Sequence, residues 1–175
     1  MQNTASRNPT TVRRPAPTAA VILADCGPPG AGKTTIATRV RDRLEARGVP
    51  VRVHHSDDRS SRTHERLYER ARDDPNEAIT VVDGTFYQRE WQTQFRTLGE
   101  DIRFVHATAS LETCLERNRA RADPIEEQGV HVIYREFDAP EDALVIDTEE
   151  ASLEAAVDRV LGALEAWNAV PDSTT

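Results

Sequence analysis

The chain has 175 residues, of which 38% are hydrophobic and 30% are charged, and its formal net charge is -8. This composition predicts one globular domain with a single core, and no apolar run approaches the length of a membrane span. The negative charge disfavours a nucleic-acid partner. An acid-rich, lysine-poor composition also occurs in proteins of a high-salt cytoplasm, where screening weakens any argument from charge.

Both ends of the sequence lack the features of a folded segment. Residues 1–18 are rich in Thr, Asn, Pro and Ala, and they lack the apolar stretch of a signal peptide, so we expect a disordered tail. Residues 170–175 are predicted to form a second disordered tail, which leaves residues 19–169 as the domain. The two cysteines, Cys26 and Cys114, are too few for a disulfide framework and suit a reducing cytoplasm, where we expect them to be small core residues.

Strand and helix patterns alternate along the whole domain. Short apolar or β-branched runs predict strands at residues 19–24, 51–54, 78–82, 102–105 and 143–146. Apolar residues at helical spacing predict helices at residues 34–47, 60–72, 88–98, 111–121, 124–137 and 152–167. This alternation is typical of an α/β three-layer fold, in which a five-stranded, mainly parallel sheet carries helices on both faces. Ligands of such sheets bind at the carboxyl ends of the strands.

The turn after the first predicted strand matches the phosphate-binding pattern G-x-x-x-x-G-K-[ST]. The matching residues, together with the next one, are Gly27, Pro28, Pro29, Gly30, Ala31, Gly32, Lys33, Thr34 and Thr35. Glycines let the backbone turn sharply beside an anion, and the amides of the loop and of the following helix bind phosphate. Lys33, the only lysine in the sequence, is expected to reach the β- and γ-phosphates, and Thr34 to bind Mg²⁺. The pattern predicts a P-loop fold with ATP and Mg²⁺ as cofactors.

Asp83 directly follows the strand predicted at residues 78–82, which is the position of a Walker-B acid. An acid there holds Mg²⁺, directly or through water, or orients the attacking group. We therefore interpret Asp83 as the second metal residue beside Thr34. The alternative is a solvated aspartate that caps a turn.

The polar residues that follow the strand predicted at residues 51–54 are the expected binding site of the phosphate acceptor. Asp57 or Asp58 is interpreted as the base that takes the proton of the acceptor hydroxyl, and Asp58, Arg59 and Arg62 are candidate ligands of the acceptor. The alternative is that the two acids cap the next helix and that the arginines are solvated.

Three arginines end the helix predicted at residues 111–121, just before Pro124. Positive charge that closes over the transferring phosphoryl group stabilises its transition state, so we expect a mobile lid here. Arg117 and Arg121 lie one helical turn apart, and one of them is the expected catalytic arginine. At least one of the three, Arg119 included, is expected only to balance the helix dipole.

Aromatic residues follow Asp83 in the sequence. Phe86, Tyr87 and Trp91 are expected to pack in the core, and the alternative is that they stack on the base of an acceptor. Arg89 lies among them and is a further candidate ligand of an acceptor phosphate. His54 and His55 have no third ligand at metal spacing, so we expect strand-end residues and no zinc site.

The P-loop, residues 111–118 and residues 136–148 together resemble the adenylylsulfate kinase group of P-loop kinases, over about residues 19–164. That resemblance implies ATP- and Mg²⁺-dependent phosphorylation of the 3′-hydroxyl of adenylylsulfate. It also places Asp57 over the second acid of the group's Asp-Gly-Asp motif, whose first acid is absent here. The segment at residues 83–87 is more similar to polynucleotide-kinase and aminoacyl-tRNA-kinase relatives, and the lysine-containing lid motif of the group is missing.

These observations leave three hypotheses for function. The first is an ATP-dependent kinase of a small-molecule or nucleotide hydroxyl, with adenylylsulfate as the leading acceptor. The second is a kinase of a nucleic-acid or aminoacyl-tRNA hydroxyl, and the third is an ATP-binding regulatory module without an acceptor. A Ras-like GTPase is disfavoured, because the only lysine lies in the P-loop and none is left for the Asn-Lys-x-Asp motif that recognises guanine.

Overall fold

The structure is a computed structural model that describes residues 21–56, 62–74, 79–99 and 101–170. Strands and helices alternate through these residues in the order β1 (Ile22–Cys26), α1 (Lys33–Ala46), β2 (Val51–His55), α2 (Thr63–Asp73), β3 (Ile79–Asp83), α3 (Arg89–Arg96), β4 (Ile102–Thr108), α4 (Leu111–Arg119), α5 (Glu127–Arg135), β5 (Leu144–Asp147) and α6 (Leu153–Ala166). Every predicted element is present. Strand β4 is longer than predicted and runs to Thr108 because its last residues pair with β5. Strand β1 is shifted towards the P-loop and ends at Cys26.

The five strands form one sheet in the order β2-β3-β1-β4-β5, and every neighbouring pair is parallel. The prediction of an α/β P-loop fold is confirmed, and the mainly parallel sheet is in fact wholly parallel. Parallel neighbours require crossover connections, which the intervening helices provide. The order places β1, which leads into the P-loop, between β3 and β4, so the ends of these three strands meet at one edge.

The sheet separates two buried apolar clusters. On one face, α1, α4, α5 and α6 pack against the sheet and contribute such residues as Val40, Leu44 and Leu164. On the other face, α2 and α3 cover an aromatic cluster around Phe86, Phe95 and Phe104. Both faces of the central strands are therefore buried, which explains their continuous apolar sequences.

The ends of the domain differ slightly from the predicted boundaries. Val170, the first residue of the predicted C-terminal tail, is only 4% exposed and packs into the core. Residues 1–20 and 171–175, which include the rest of both predicted tails, lie outside the described residues. No helix among the described residues is long and apolar enough to cross a membrane.

Leu164 and Leu153 of α6 provide a matched test of this packing. Leu164 is fully buried, whereas Leu153 is 39% exposed. Leu164→Ala is expected to lower the free energy of unfolding by about 2–5 kcal/mol through lost burial and the cavity left behind. Leu153→Ala is expected to cost less than about 1 kcal/mol. Urea unfolding of both variants measures the difference, and equal losses would contradict the packing of α6 described here.

Candidate active site

The backbone of the P-loop lies close against β4 and α4. At two of its glycines this contact leaves no room for a side chain. Gly27 and Gly30 have φ angles of 145° and 82°. A Cβ atom at Gly27 would overlap the carbonyl oxygen of Ala107, and one at Gly30 would overlap the carbonyl oxygen of Cys114. Steric overlap thus explains why the first position of the motif, Gly27, must be glycine. The same overlap requires glycine at position 30, which the motif leaves open.

Lys33, Thr34 and Asp83 converge at the mouth of this loop. The ammonium of Lys33 donates a hydrogen bond to the carbonyl of Pro28 (2.9 Å), and the Thr34 hydroxyl donates one to Asp83 Oδ2 (2.6 Å). His55 Nδ1 lies 3.0 Å from the same carboxylate oxygen. The sequence analysis brought Lys33, Thr34 and Asp83 together but treated His55 only as a strand-end residue.

Asp83 is an ionised carboxylate in a buried position, only 3% exposed. Burial opposes its ionisation, but the hydrogen bonds from His55 and Thr34 and the charge of Lys33 outweigh it and hold the pKa of Asp83 below its usual value. The same contact with Asp83 raises the pKa of His55. The loop therefore has a negative oxygen beside the Thr34 hydroxyl, and these are the hard oxygen ligands that Mg²⁺ prefers.

Asp25, the neighbour of Asp83 across the β1–β3 pairing, has the opposite character. It is 2% exposed, and neither of its carboxyl oxygens has a hydrogen-bond partner in the part of the chain that the structure describes. Burial, and next the negative charge of Asp83, raise the pKa of Asp25 well above its usual value, although Lys33 opposes them. The sequence analysis missed this residue, and the available signal was one acid in an apolar strand just before the loop.

The two predicted lid arginines lie at the cleft but differ in their contacts. Arg117 donates to the Thr148 hydroxyl (2.8 Å) and carbonyl (3.1 Å), and its guanidinium also reaches the carbonyl of Gly30 (3.4 Å). Thr148 in turn donates towards the carbonyl of Ala31 (3.0 Å). Arg117 is thus tied to the P-loop backbone through Thr148, a residue to which the sequence analysis gave no role.

Arg121 lies further along, on the loop that follows α4. It lines a cleft of about 370 Å³ together with Lys33, Thr34, Asp83 and Arg117, and with Pro29, Gly30, Gly32, Thr35, Ser56, Thr85 and Ile125. The cleft is at the carboxyl ends of the strands, where the sequence predicted the ligand site. The lining includes three positively charged side chains, those of Lys33, Arg117 and Arg121.

Two of the predicted acceptor ligands have partners elsewhere. Arg89 makes a two-pronged ion pair with Asp138 (2.9 and 3.1 Å) and does not line the cleft. Arg62 precedes α2, is largely exposed and donates to Glu65 (2.7 Å). Asp57, Asp58 and Arg59 lie outside the described residues.

The aromatic residues after β3 are mainly packed. Phe86 is fully buried among Phe95 and Phe104, as expected. Trp91 stacks on His64, with ring centroids 3.5 Å apart, and Tyr87 meets the edge of Trp91. His54 contacts Asp74 (2.8 Å). No group of three or more metal-binding side chains was found among the described residues.

The raised pKa of Asp25 has a consequence for stability. Since its folded pKa is raised, the folded protein keeps a proton that the unfolded chain releases above about pH 4. Stability is therefore lost as the pH rises from there towards the folded pKa. Asp25→Asn is expected to increase the free energy of unfolding, and to do so more at pH 7 than at pH 4.5.

Urea unfolding at both pH values measures this effect, with the exposed Glu141→Gln as the matched control. The control is expected to change stability by less than about 0.5 kcal/mol. A benefit of Asp25→Asn that does not grow with pH would contradict the raised pKa of Asp25.

Comparisons with known proteins identify the family of this chain and structures that share its fold. The model of the AAA_33 family, described as an AAA domain, matches residues 22–142. None of the curated proteins that were compared matches the chain.

Several solved structures share the fold. The Mycobacterium tuberculosis APS kinase CysC in complex with AMPPNP and APS has a TM-score of 0.68 and 18% identity, over 85% of this chain and 99% of that one. A gluconokinase from Sinorhizobium meliloti 1021 has a TM-score of 0.65 and 18% identity, over 89% and 95%. Chaetomium thermophilum Kti12 in complex with ADP-AlF3 has a TM-score of 0.70 and 17% identity, over 86% and 100%.

These neighbours share a P-loop kinase-like fold with this chain, and at such identities the likeness shows the fold alone. The family match is stronger, because it spans more than half of the sequence and includes the whole P-loop. The protein therefore belongs to the AAA_33 family of AAA domains.

Proposed function

We propose that the protein is an ATP- and Mg²⁺-dependent kinase that transfers the γ-phosphate to a hydroxyl group, with adenylylsulfate as the first acceptor to test. The observation that carries this proposal is the convergence of Lys33, the Thr34–Asp83 pair and Arg121 in one cleft. Positioning and charge stabilisation are most of what phosphoryl transfer requires of a protein. Two of the solved neighbours are named as kinases of small molecules, which supports the same reaction class.

The P-loop is proposed to hold the phosphates of ATP. Backbone amides of the loop and of the first turn of α1 supply donors, and Lys33 adds a positive charge. Its ammonium now contacts the Pro28 carbonyl, and a β- or γ-phosphate oxygen would take over that contact.

Thr34 and Asp83 are proposed to hold Mg²⁺. Their oxygens are 2.6 Å apart, and the carboxylate is ionised, so the donor set fits a hard divalent cation. When bound, the ion neutralises charge on the β- and γ-phosphates. His55 contacts the same Asp83 oxygen and would fix the orientation of the carboxylate.

Arg121 is proposed to be the arginine that stabilises the transferring phosphoryl group. Arg117 has its guanidinium engaged with Thr148 and with the Gly30 carbonyl, so we assign to it the support of the P-loop backbone. Both arginines line the cleft.

The acceptor is proposed to bind between the ends of β2 and β3, where Ser56 and Thr85 line the cleft. Asp57 remains the proposed base, with Asp58 and Arg59 as its neighbours in the sequence. Arg89 is no longer included, because Asp138 occupies its guanidinium.

Transfer of labelled phosphate from ATP to a panel of acceptors tests the proposal. The panel contains adenylylsulfate, gluconate, nucleosides, RNA ends and seryl-tRNA. We expect one class to be phosphorylated, and Lys33→Ala to lower that turnover by about a hundredfold or more because a charge on the transferring group is lost. The melting temperature of this variant should change little.

A protein that hydrolyses ATP at a rate unaffected by every acceptor would instead be an ATPase module. Near-normal turnover in Lys33→Ala would contradict the assignment of the P-loop.

Asp83→Asn separates the metal role from a structural one. A neutral amide replaces a charge beside a divalent ion, so the Mg²⁺ concentration for half-maximal ATP binding should rise about tenfold or more. Titration of nucleotide binding with Mg²⁺ measures this change. Asp138→Asn, on the surface near α3, is the matched control and should leave the midpoint unchanged. An unaltered midpoint in Asp83→Asn would exclude Asp83 as a metal ligand.

A further inference from the structure

Asn118 is a buried polar residue in the last turn of α4 to which the proposed reaction gives no role. It is only 1% exposed. Its Nδ2 donates to the carbonyl of Ile125 (2.7 Å), and its Oδ1 accepts a hydrogen bond from the backbone N–H of the same residue (3.1 Å). One side-chain amide thus satisfies both backbone groups of a residue seven positions away, much as a neighbouring strand would.

The segment closed by this pair of bonds carries Arg121. The backbone N–H of Arg121 also donates to the main-chain carbonyl of Asn118 (3.2 Å). Arg121 and Ile125 both line the cleft that contains Lys33 and Asp83. The path of this loop, and with it the place of the Arg121 side chain, is therefore held by Asn118 at its start and by Ile125 at its end.

A helix cap does not explain these contacts. The last turn of α4 is closed by main-chain bonds, in which the N–H of Ala120 donates to the carbonyl of Glu116 (3.2 Å). The side-chain bonds of Asn118 go instead to Ile125, beyond the helix. The side chain therefore organises the loop after the helix.

We propose that Asn118 is a positioning residue that holds the Arg121 loop in the geometry needed at the transferring phosphoryl group. This inference rests on the proposed function. It follows that a change at Asn118 acts on the transition state through Arg121, while binding of the nucleotide ground state is retained. A buried amide suits this task, because its bonds have fixed directions and water does not compete for them.

The test measures two affinities in the presence of Mg²⁺, one for ADP plus aluminium fluoride, which mimics the transferring group, and one for ADP alone. Its readout is the ratio of the first affinity to the second. This ratio requires no knowledge of the acceptor. We expect Arg121→Ala to lower the ratio by about tenfold or more, and Asn118→Ala to lower it by a similar factor, since a small misplacement of a charged group removes most of its effect. Affinity for ADP alone should change by less than about threefold in both variants.

The double variant distinguishes positioning from independent effects. If Asn118 acts through Arg121, then Asn118→Ala combined with Arg121→Ala will have the ratio of Arg121→Ala alone. The inference would be overturned if the double variant lowered the ratio by the product of the two single-variant factors. It would also be overturned if the Asn118→Ala ratio equalled that of the wild type. If Asn118→Ala does not fold, Asn118→Asp is used with the same criteria, because it keeps the acceptor for Ile125 N–H and loses the donor.

Gln92→Ala is the matched control. Gln92 is another buried amide that bonds main-chain carbonyls, those of Phe86 (2.9 Å) and Asp138 (2.6 Å), but it lies on α3. In the Gln92→Ala background, Arg121→Ala should keep its full effect on the ratio; loss of that effect would overturn a specific link between Asn118 and Arg121. A wild-type protein that binds ADP with aluminium fluoride no more tightly than ADP would overturn the proposed phosphoryl transfer itself.

Discussion

The close approach of the P-loop backbone to β4 and α4 determines most of this site. Gly27 lies against the Ala107 carbonyl and Gly30 against the Cys114 carbonyl, so the loop cannot move without those two elements. One turn beyond Cys114, Arg117 reaches back to the Gly30 carbonyl, and the loop after the same helix presents Arg121 to the cleft. Helix α4 therefore contacts the P-loop backbone at Gly30, and both arginines that line the cleft lie on this helix or on the loop after it. Displacement of α4 would move both together.

Two buried acids lie side by side at the start of the loop, and their surroundings shift their pKa values in opposite directions. Asp83 has a hydrogen bond from Thr34, a contact with His55 and the charge of Lys33 nearby, and its pKa lies below its usual value. Asp25 has no hydrogen-bond partner for its carboxyl oxygens among the described residues, and burial and the charge of Asp83 raise its pKa. An ionised Asp83 therefore disfavours ionisation of its neighbour. The carboxylate that is favoured in the charged form is the one that contacts Thr34 and the proposed metal site.

The fold and the P-loop could be predicted because their signals are local. Strand and helix periods, and a motif of eight consecutive residues, need no knowledge of distant partners. The remaining site features depend on such partners. Arg89 forms an ion pair with Asp138, which is 49 residues away in the sequence. Arg117 donates a hydrogen bond to Thr148, which is 31 residues away. Asn118 lies in an arginine-rich segment, and its hydrogen bonds to the Ile125 backbone could not be predicted without the path of the loop between them. The burial of Asp25 beside Asp83 could not be predicted, because it depends on the pairing of β1 with β3.

The mobile lid predicted at the arginines remains a prediction, and the structure describes the contacts on either side of the arginine loop. Val130 of α5 is fully buried in the core, and the Tyr134 hydroxyl donates to the Ala109 carbonyl (3.1 Å). The arginine loop is thus bounded by Asn118 on one side and by a packed helix on the other. If Arg121 acts on the transferring phosphoryl group as proposed, a frame of this kind would preorganise its charge, so that little reorganisation is needed during transfer.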